Sequence, residues 1–132
     1  MARCRVLLAL LATALATTAA TAATAAVVPV NAIRITDPAP VLTGSVYDLT
    51  ISGVAHRRST AYLFVDYAGC APTQTAELRR SPHAYDSYPV AGSFDQVTGW
   101  KSSSPGTDHA CAYLVARGGG LLATARIPFV IR

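Results

Sequence analysis

Short apolar and alternating segments recur along the chain from residue 32 onward, and Gly, Pro, Asp and Ser separate them. Alternation with a period of two is typical of a β-strand with one buried face, whereas an amphipathic helix repeats every 3.6 residues. The pattern predicts one helical turn at residues 75–80. It predicts strands over residues 32–35, 46–52, 60–67, 88–94, 97–101, 109–117 and 121–131.

Seven short strands with turn residues between them are typical of an immunoglobulin-like (Ig-like) antiparallel β-sandwich. The sequence therefore predicts an all-β fold of this kind, with a small Greek-key barrel as the alternative. The last strand alternates cleanly, so one of its faces is expected to be buried. That face carries Ala123, Ala125, Ile127, Phe129 and Ile131.

The richest strand, residues 60–67, has apolar side chains on both faces. One face carries Leu63, Val65 and Tyr67, and the other carries Tyr62, Phe64 and Asp66. Because burying an unpaired carboxylate is costly, the face with Asp66 is expected to point to water. Tyr62 and Phe64 then become candidate binding residues on an exposed apolar patch. In the alternative, the connection over residues 68–89 folds over this face and buries it.

The first 25 residues predict a secretory signal peptide. Arg3 and Arg5 precede an apolar run over residues 6–16, and a segment of Ala and Thr follows. This order is that of a signal peptide, and the run is too short to span a bilayer. Cleavage is expected after Ala25 or Ala26, which leaves residues 26–132 as a single secreted, extracellular Ig-like domain with no membrane span.

The net charge of +4 carries little functional information. The arginines are scattered rather than aligned along one element, so nucleic-acid binding is not expected. No cofactor-binding motif is recognised, and the sequence predicts no cofactor.

Two cysteines, Cys70 and Cys111, follow the predicted signal peptide. In an exported chain, such a pair is expected to form a disulfide. In an Ig-like sandwich the strands that end and begin near them are neighbours, which brings the two residues within bridging distance. Closing this loop of 41 residues contributes about 3.9 kcal/mol by the chain-entropy estimate. A bridged Cys111 provides no catalytic thiol.

The remaining residues of catalytic type form no recognisable constellation. His56, His83 and His109 match no metal-binding spacing, and no G-x-S-x-G motif is present. The sequence therefore predicts neither a metal site nor catalytic residues.

Four segments carry a family resemblance: VDYAGC, GSFDQVTGW, SSSPGTDHACAYLV and the final IPFVIR. With them the chain, over residues 33–132, resembles small exported Ig-like proteins of actinobacteria, most of which are uncharacterised. The resemblance implies an Ig-like architecture and a secreted location, and it assigns no catalytic residue.

Three hypotheses for function follow. The first is an exported non-enzymatic module that binds a protein or glycan partner or contributes to an extracellular surface. The second is a small glycan- or anion-binding protein that uses the connection over residues 68–89, where basic and aromatic side chains come together. Those residues are Arg79, Arg80, His83, Tyr85 and Tyr88. The third is a hydrolytic enzyme. The sequence assigns no oligomeric state.

Overall fold

A computed structural model describes residues 30–132, so the predicted signal peptide lies outside the described residues. The chain forms five strands and one short helix. In chain order these are β1 (Ala32–Thr36), β2 (Val46–Asp66), α1 (Gln74–Arg80), β3 (Tyr85–Lys101), β4 (Gly106–Ala116) and β5 (Leu121–Ile131).

The long strands β2 and β3 contain the predicted shorter strands as their halves. Residues 46–55 of β2 pair with β1 and with the second half of β3, whereas residues 59–66 pair with the first half of β3 and with β4. The register shifts between Ala55 and Ser59, and Gly92, the partner of Ala55, has a φ of 72°. A positive φ suits glycine, and such irregularities bend a sheet. Because of these bends, β2 and β3 each contain two of the seven predicted strand segments.

The bent sheet curls until its ends approach each other. The five strands pair with their neighbours antiparallel in the order β1-β2-β4-β5, and β3 also pairs with β2. β1 contacts β4 and β5 although it is paired with neither. The segment after β1 closes the seam, because Val41 and Ile131 form a parallel bridge and the Thr43 amide donates to the Arg132 carbonyl (2.7 Å).

The main core lies inside this curl. Its fully buried aliphatic members are Leu49, Ile51, Leu63 and Leu114. The alternation predicted for β5 is confirmed. Phe129 and Ile131 are buried, whereas the alternate residues Thr124, Arg126, Pro128 and Val130 are exposed.

A second apolar cluster lies on the other face of β2 and β4 and corrects the prediction for residues 60–67. Phe64 was expected outside but is fully buried (0 % exposed), in contact with Cys111 and Tyr113. The prediction that Phe64 lies on the face opposite Leu63 is right. The connection over residues 68–89 covers that face, however, and Leu78 of α1 packs against the cluster. The alternative arrangement is therefore the one that the structure contains.

Two neighbouring expectations are also wrong, each for its own reason. Asp66 is buried, because partners from the covering segment satisfy its carboxylate. Tyr67, expected in the core, is 84 % exposed, because β2 ends at Asp66 and the chain leaves the sheet at this point.

Candidate functional site

A disulfide and a helix cap hold the covering segment in place. Cys70 and Cys111 form the predicted disulfide, with Cα atoms 5.5 Å apart. α1 begins at the next turn, where the Thr73 hydroxyl accepts a hydrogen bond from the Ala76 amide (3.2 Å). A threonine at this position satisfies an amide that the helix itself leaves free. The bridge and the cap together direct α1 back across the sheet.

Glu77 of α1 is the centre of a buried polar network. Its carboxylate accepts hydrogen bonds from the Ala71 amide (2.5 Å) and lies 2.9 Å from the Tyr113 hydroxyl and 3.1 Å from the Arg80 guanidinium. The Tyr113 hydroxyl also reaches the Ala71 carbonyl (2.6 Å). Burial, followed by the Glu77 carboxylate, raises the pKa of Tyr113. These contacts attach the helix to β4 and indicate a structural role.

Asp66 extends this network at the end of β2. It accepts hydrogen bonds from the Ala68 amide (2.6 Å) and the Ser81 hydroxyl (3.0 Å), and Arg80 lies 3.7 Å away. Burial opposes ionisation of Asp66, but these hydrogen bonds and the nearby guanidinium together lower its pKa. Arg80 also donates to the Gly69 carbonyl. Its guanidinium is therefore engaged within the protein.

The other predicted binding residues do not assemble into one surface. Tyr62 and Tyr85 are half-buried around Phe64, and the Tyr85 and Phe64 ring centroids are 5.2 Å apart. Tyr88 packs against the main core, and its hydroxyl is hydrogen-bonded to that of Thr98. The remaining two, Arg79 and His83, are exposed on the covering segment.

A cleft of about 560 Å³ lies where the end of β2, the end of β3 and the start of β4 meet. Sequence reasoning missed this site. The residues that line it include three aromatic residues, two charged residues and three residues with aliphatic hydroxyls. These are Tyr47, Tyr67 and Trp100, then Lys101 and Asp108, then Ser103, Ser104 and Thr107. The signals available in the sequence were the lone tryptophan and the hydroxyl-rich SSSPGTD segment.

The aromatic wall of the cleft belongs in part to the core. Tyr47 is the register partner of Trp100, and its ring centroid lies 5.4 Å from that of Phe129. The Trp100 Nε1 is buried and has no hydrogen-bond partner within residues 30–132. Tyr67, by contrast, is exposed at the rim. The cleft therefore combines rigid aromatic side chains with one that is accessible.

Asp108 sets the electrostatics of the cleft. Burial raises its pKa above the usual aspartate value. Burial of Tyr47, followed by the charge of Asp108, raises the pKa of Tyr47 to about 12. No group of residues 30–132 donates a hydrogen bond or forms an ion pair with the Asp108 carboxylate. A perturbed carboxylate in a cleft is a candidate functional group.

A second groove of about 440 Å³ lies beside the first turn of α1, between β2 and the end of β4. Tyr62 and Gln74 line it together with Arg58 and Arg117, and these two arginines are the only charged residues that line it in the described part of the chain. This groove has a positive character, whereas the cleft contains one charge of each sign.

Comparison with known proteins identifies the fold and no family. No protein-family model matches the chain, and no curated protein matches it in sequence. Among solved structures, a CARDB domain from Pyrococcus furiosus, solved in complex with di-metal ions, superposes with a TM-score of 0.51 at 10% identity. The match covers 76% of this chain and 91% of that chain. CARDB domains are Ig-like modules. The fold of this protein is Ig-like.

Across residues 30–132, no three His, Cys, Asp or Glu side chains are grouped closely enough to hold a metal ion. His109, half-buried in β4, has a buried Nδ1 without a hydrogen-bond partner in that range. The one helix described there, α1, lacks the length and hydropathy of a transmembrane segment.

Proposed function

We propose that this protein is an exported, non-enzymatic Ig-like module that binds a partner outside the cytoplasm, and that it belongs with the small exported Ig-like proteins of actinobacteria. The observation that carries the binding role is the cleft at the end of the curled sheet. It is concave, partly aromatic and holds a carboxylate without a protein partner, which are features typical of ligand sites.

The chemistry of the cleft favours binding over catalysis. A nucleophilic hydroxyl requires an adjacent general base to become reactive. Ser103, Ser104 and Thr107 line the cleft together with Asp108 and Lys101, which could each act as a base. Among residues 30–132, no hydrogen bond joins any of these hydroxyls to Asp108 or Lys101. The hydroxyls therefore serve as hydrogen-bonding groups in this proposal.

Export is supported by the sequence of the first 25 residues and by the Cys70–Cys111 disulfide, because disulfides persist in oxidising compartments. N-terminal sequencing of the extracellular protein should begin near Ala26 or Val27. A start at Met1 or Ala2 would contradict the proposed processing.

The binding role is tested with the intact exported protein. It is applied to immobilised neutral polysaccharides, sulfated polysaccharides and cell-surface preparations, and retention is measured against an unrelated protein of similar charge. We expect saturable retention on one of these materials without chemical change to it. Absence of retention on every material, or turnover of one of them, would overturn the proposed function.

The second candidate is anion binding through the groove that contains Arg58 and Arg117. The supporting observation is that both charged lining residues are cationic, and guanidinium groups bind sulfate and phosphate well. The groove includes Gln74 and Pro89 of the connection over residues 68–89, although it does not include Arg79.

Substitution of the groove arginines tests whether anions bind in this groove or at the exposed Arg79 on the covering segment. In the Arg58→Gln/Arg117→Gln double variant, retention on a sulfated polysaccharide should fall, whereas the exposed control Arg79→Gln should retain it. The opposite result would favour the loop site predicted from the sequence. Retention that is insensitive to salt would contradict an anion site altogether.

A further inference from the structure

We propose that the cleft at the end of the curled sheet binds a neutral saccharide, with Tyr67 as the stacking surface and Asp108 as the hydrogen-bond acceptor. This inference rests on the proposed binding function and names the class of ligand. It follows from the combination of an exposed aromatic ring, an unpaired carboxylate and hydroxyl side chains around one cavity.

The exposure of Tyr67 is the first argument. Exposed aromatic rings provide large apolar area at small entropic cost, and they pack against the C–H faces of sugar rings as they do against other apolar groups. Tyr67 is 84 % exposed and belongs to neither apolar cluster of the described residues. It follows directly after β2, beside a strand end that is fixed by the Asp66 hydrogen bonds. Its position is therefore well supported even though its ring faces solvent.

The state of Asp108 is the second argument. An ionised carboxylate accepts hydrogen bonds at both oxygens, and two adjacent sugar hydroxyls supply such donors. Burial has already removed part of the water around Asp108. The charge of the neighbouring His109 offsets part of this effect, but no residue of 30–132 donates a hydrogen bond to the Asp108 carboxylate. A hydroxylated ligand would replace that lost hydration. Ser103, Ser104 and Thr107 add groups that both donate and accept.

Charge and size favour a small ligand without net charge. Among residues 30–132, Lys101 and Asp108 are the only charged residues that line the cleft, and their charges cancel. An anionic ligand would meet the unpaired Asp108, and a cationic ligand would meet Lys101. A volume of about 560 Å³ falls within the range of small-molecule sites and has room for a mono- or disaccharide.

The experiment uses the single tryptophan as its reporter. The chain contains one tryptophan, Trp100, and it lines the cleft. The intact protein is titrated with a panel of neutral mono- and disaccharides while Trp100 emission is recorded. Matched sugars that carry a carboxylate serve as comparators. We expect saturable emission changes with at least one neutral sugar and weaker binding of its acidic counterpart.

Three variants and one control assign the contacts. Tyr67→Ala should weaken binding by about 3- to 10-fold, whereas Tyr67→Phe should stay within about twofold because it keeps the ring. Asp108→Asn should weaken binding by about tenfold, since neutral hydrogen bonds replace charge-assisted ones. Asp37→Asn, an exposed aspartate outside the cleft, should bind as the parent does.

The outcomes separate this inference from the proposed function. If the protein is retained on a surface material but no sugar changes Trp100 emission and Tyr67→Ala leaves retention intact, the saccharide cleft is refuted and the binding module stands. If neither retention nor any emission change occurs, the proposed function fails as well. Equal loss of affinity in Tyr67→Phe and Tyr67→Ala would refute the stacking role.

Discussion

Replacement of Glu77 by alanine tests whether α1 is an integral part of the folded core. Glu77 is fully buried (0 % exposed) in a seven-residue helix that is far too short to be stable alone. Its carboxylate joins the helix to the Ala71 amide and to Tyr113 of β4, and it also contacts Arg80 within the helix. The change removes all three contacts and leaves the disulfide in place.

The magnitude follows from what each partner loses. The buried Ala71 amide would have no acceptor, which costs about 1–3 kcal/mol. The Tyr113 hydroxyl keeps the Ala71 carbonyl and loses less. The Arg80 side chain is 40% exposed, so its ion pair adds about 0–1 kcal/mol, and the lost methylene group adds about 1 kcal/mol. Glu77→Ala should therefore destabilise the protein by about 2–5 kcal/mol.

Urea unfolding at pH 7 measures this loss. Trp100 belongs to the main core and not to the cluster beneath α1, so its emission reports on unfolding of the sheet rather than on detachment of the helix. The control Glu77→Gln keeps the volume and one carbonyl oxygen for the Ala71 amide. It should cost about 1–2 kcal/mol, the difference between charged and neutral hydrogen bonds.

A double-mutant cycle with Tyr113→Phe isolates the contact between helix and strand. A coupling of about 0.5–3 kcal/mol between the two positions is expected, because their side chains share a hydrogen bond. A loss below about 1 kcal/mol for Glu77→Ala, or a larger loss for Glu77→Gln than for Glu77→Ala, would refute the reasoning. α1 would then be a surface attachment that contributes little to the fold.

Three further predictions concern the bridge, the cleft and the covered face. Cys111→Ser should lower the free energy of unfolding in urea by about 2–5 kcal/mol. In the exported parent protein, non-reducing peptide mapping should recover the Cys70 peptide joined to the Cys111 peptide, and two free thiols would contradict this. Because burial raises the pKa of Asp108, the folded protein holds the Asp108 proton more tightly than the unfolded chain does. Ionised Asp108 therefore lowers the stability of the folded state at pH 7, and this stability is regained as the pH falls through the raised pKa. Asp108→Asn should have a higher melting temperature than the parent at pH 7, and the difference between the two should shrink on acidification. A difference that grows on acidification would contradict this prediction. Phe64→Lys should unfold the domain or cost more than about 3 kcal/mol, whereas Tyr67→Lys should change stability by about 0.5 kcal/mol or less; similar losses for both would contradict the assigned burial.

The alternation of apolar residues was sufficient to predict the strand segments and most of their inward-facing positions, although Tyr67, assigned to the core, is exposed. In β5 the faces follow directly from the sequence, because side chains alternate strictly along a strand and one face is solvated. In residues 60–67 the same rule placed Phe64 opposite Leu63, which is correct. Parity alone does not determine whether the opposite face is open or covered. That depends on where residues 68–84 travel after β2 ends.

The burial of the charged residues Asp66 and Glu77 could not be predicted from local sequence. Asp66 was assigned to solvent because an unpaired buried carboxylate is costly. Its partners, the Ala68 amide, Ser81 and Arg80, come from the segment that folds back over the strand. Glu77 lies on that same segment, and its buried partner Tyr113 is 36 residues away in the chain. Neither pairing has a signature in the sequence.

By itself, the sequence determined the β character of the chain, the strand segments, the cysteine pair and the expectation of export, because these depend on periodicity, residue type and local order. The tertiary structure alone decided the covered face of β2 and the cleft that contains Tyr47, Tyr67, Trp100 and Asp108. These four residues lie on three strands and the turn after one of them. They meet because the register shift after Ala55 bends β2 and curls the sheet, and a site formed by that curvature has no continuous pattern in the sequence.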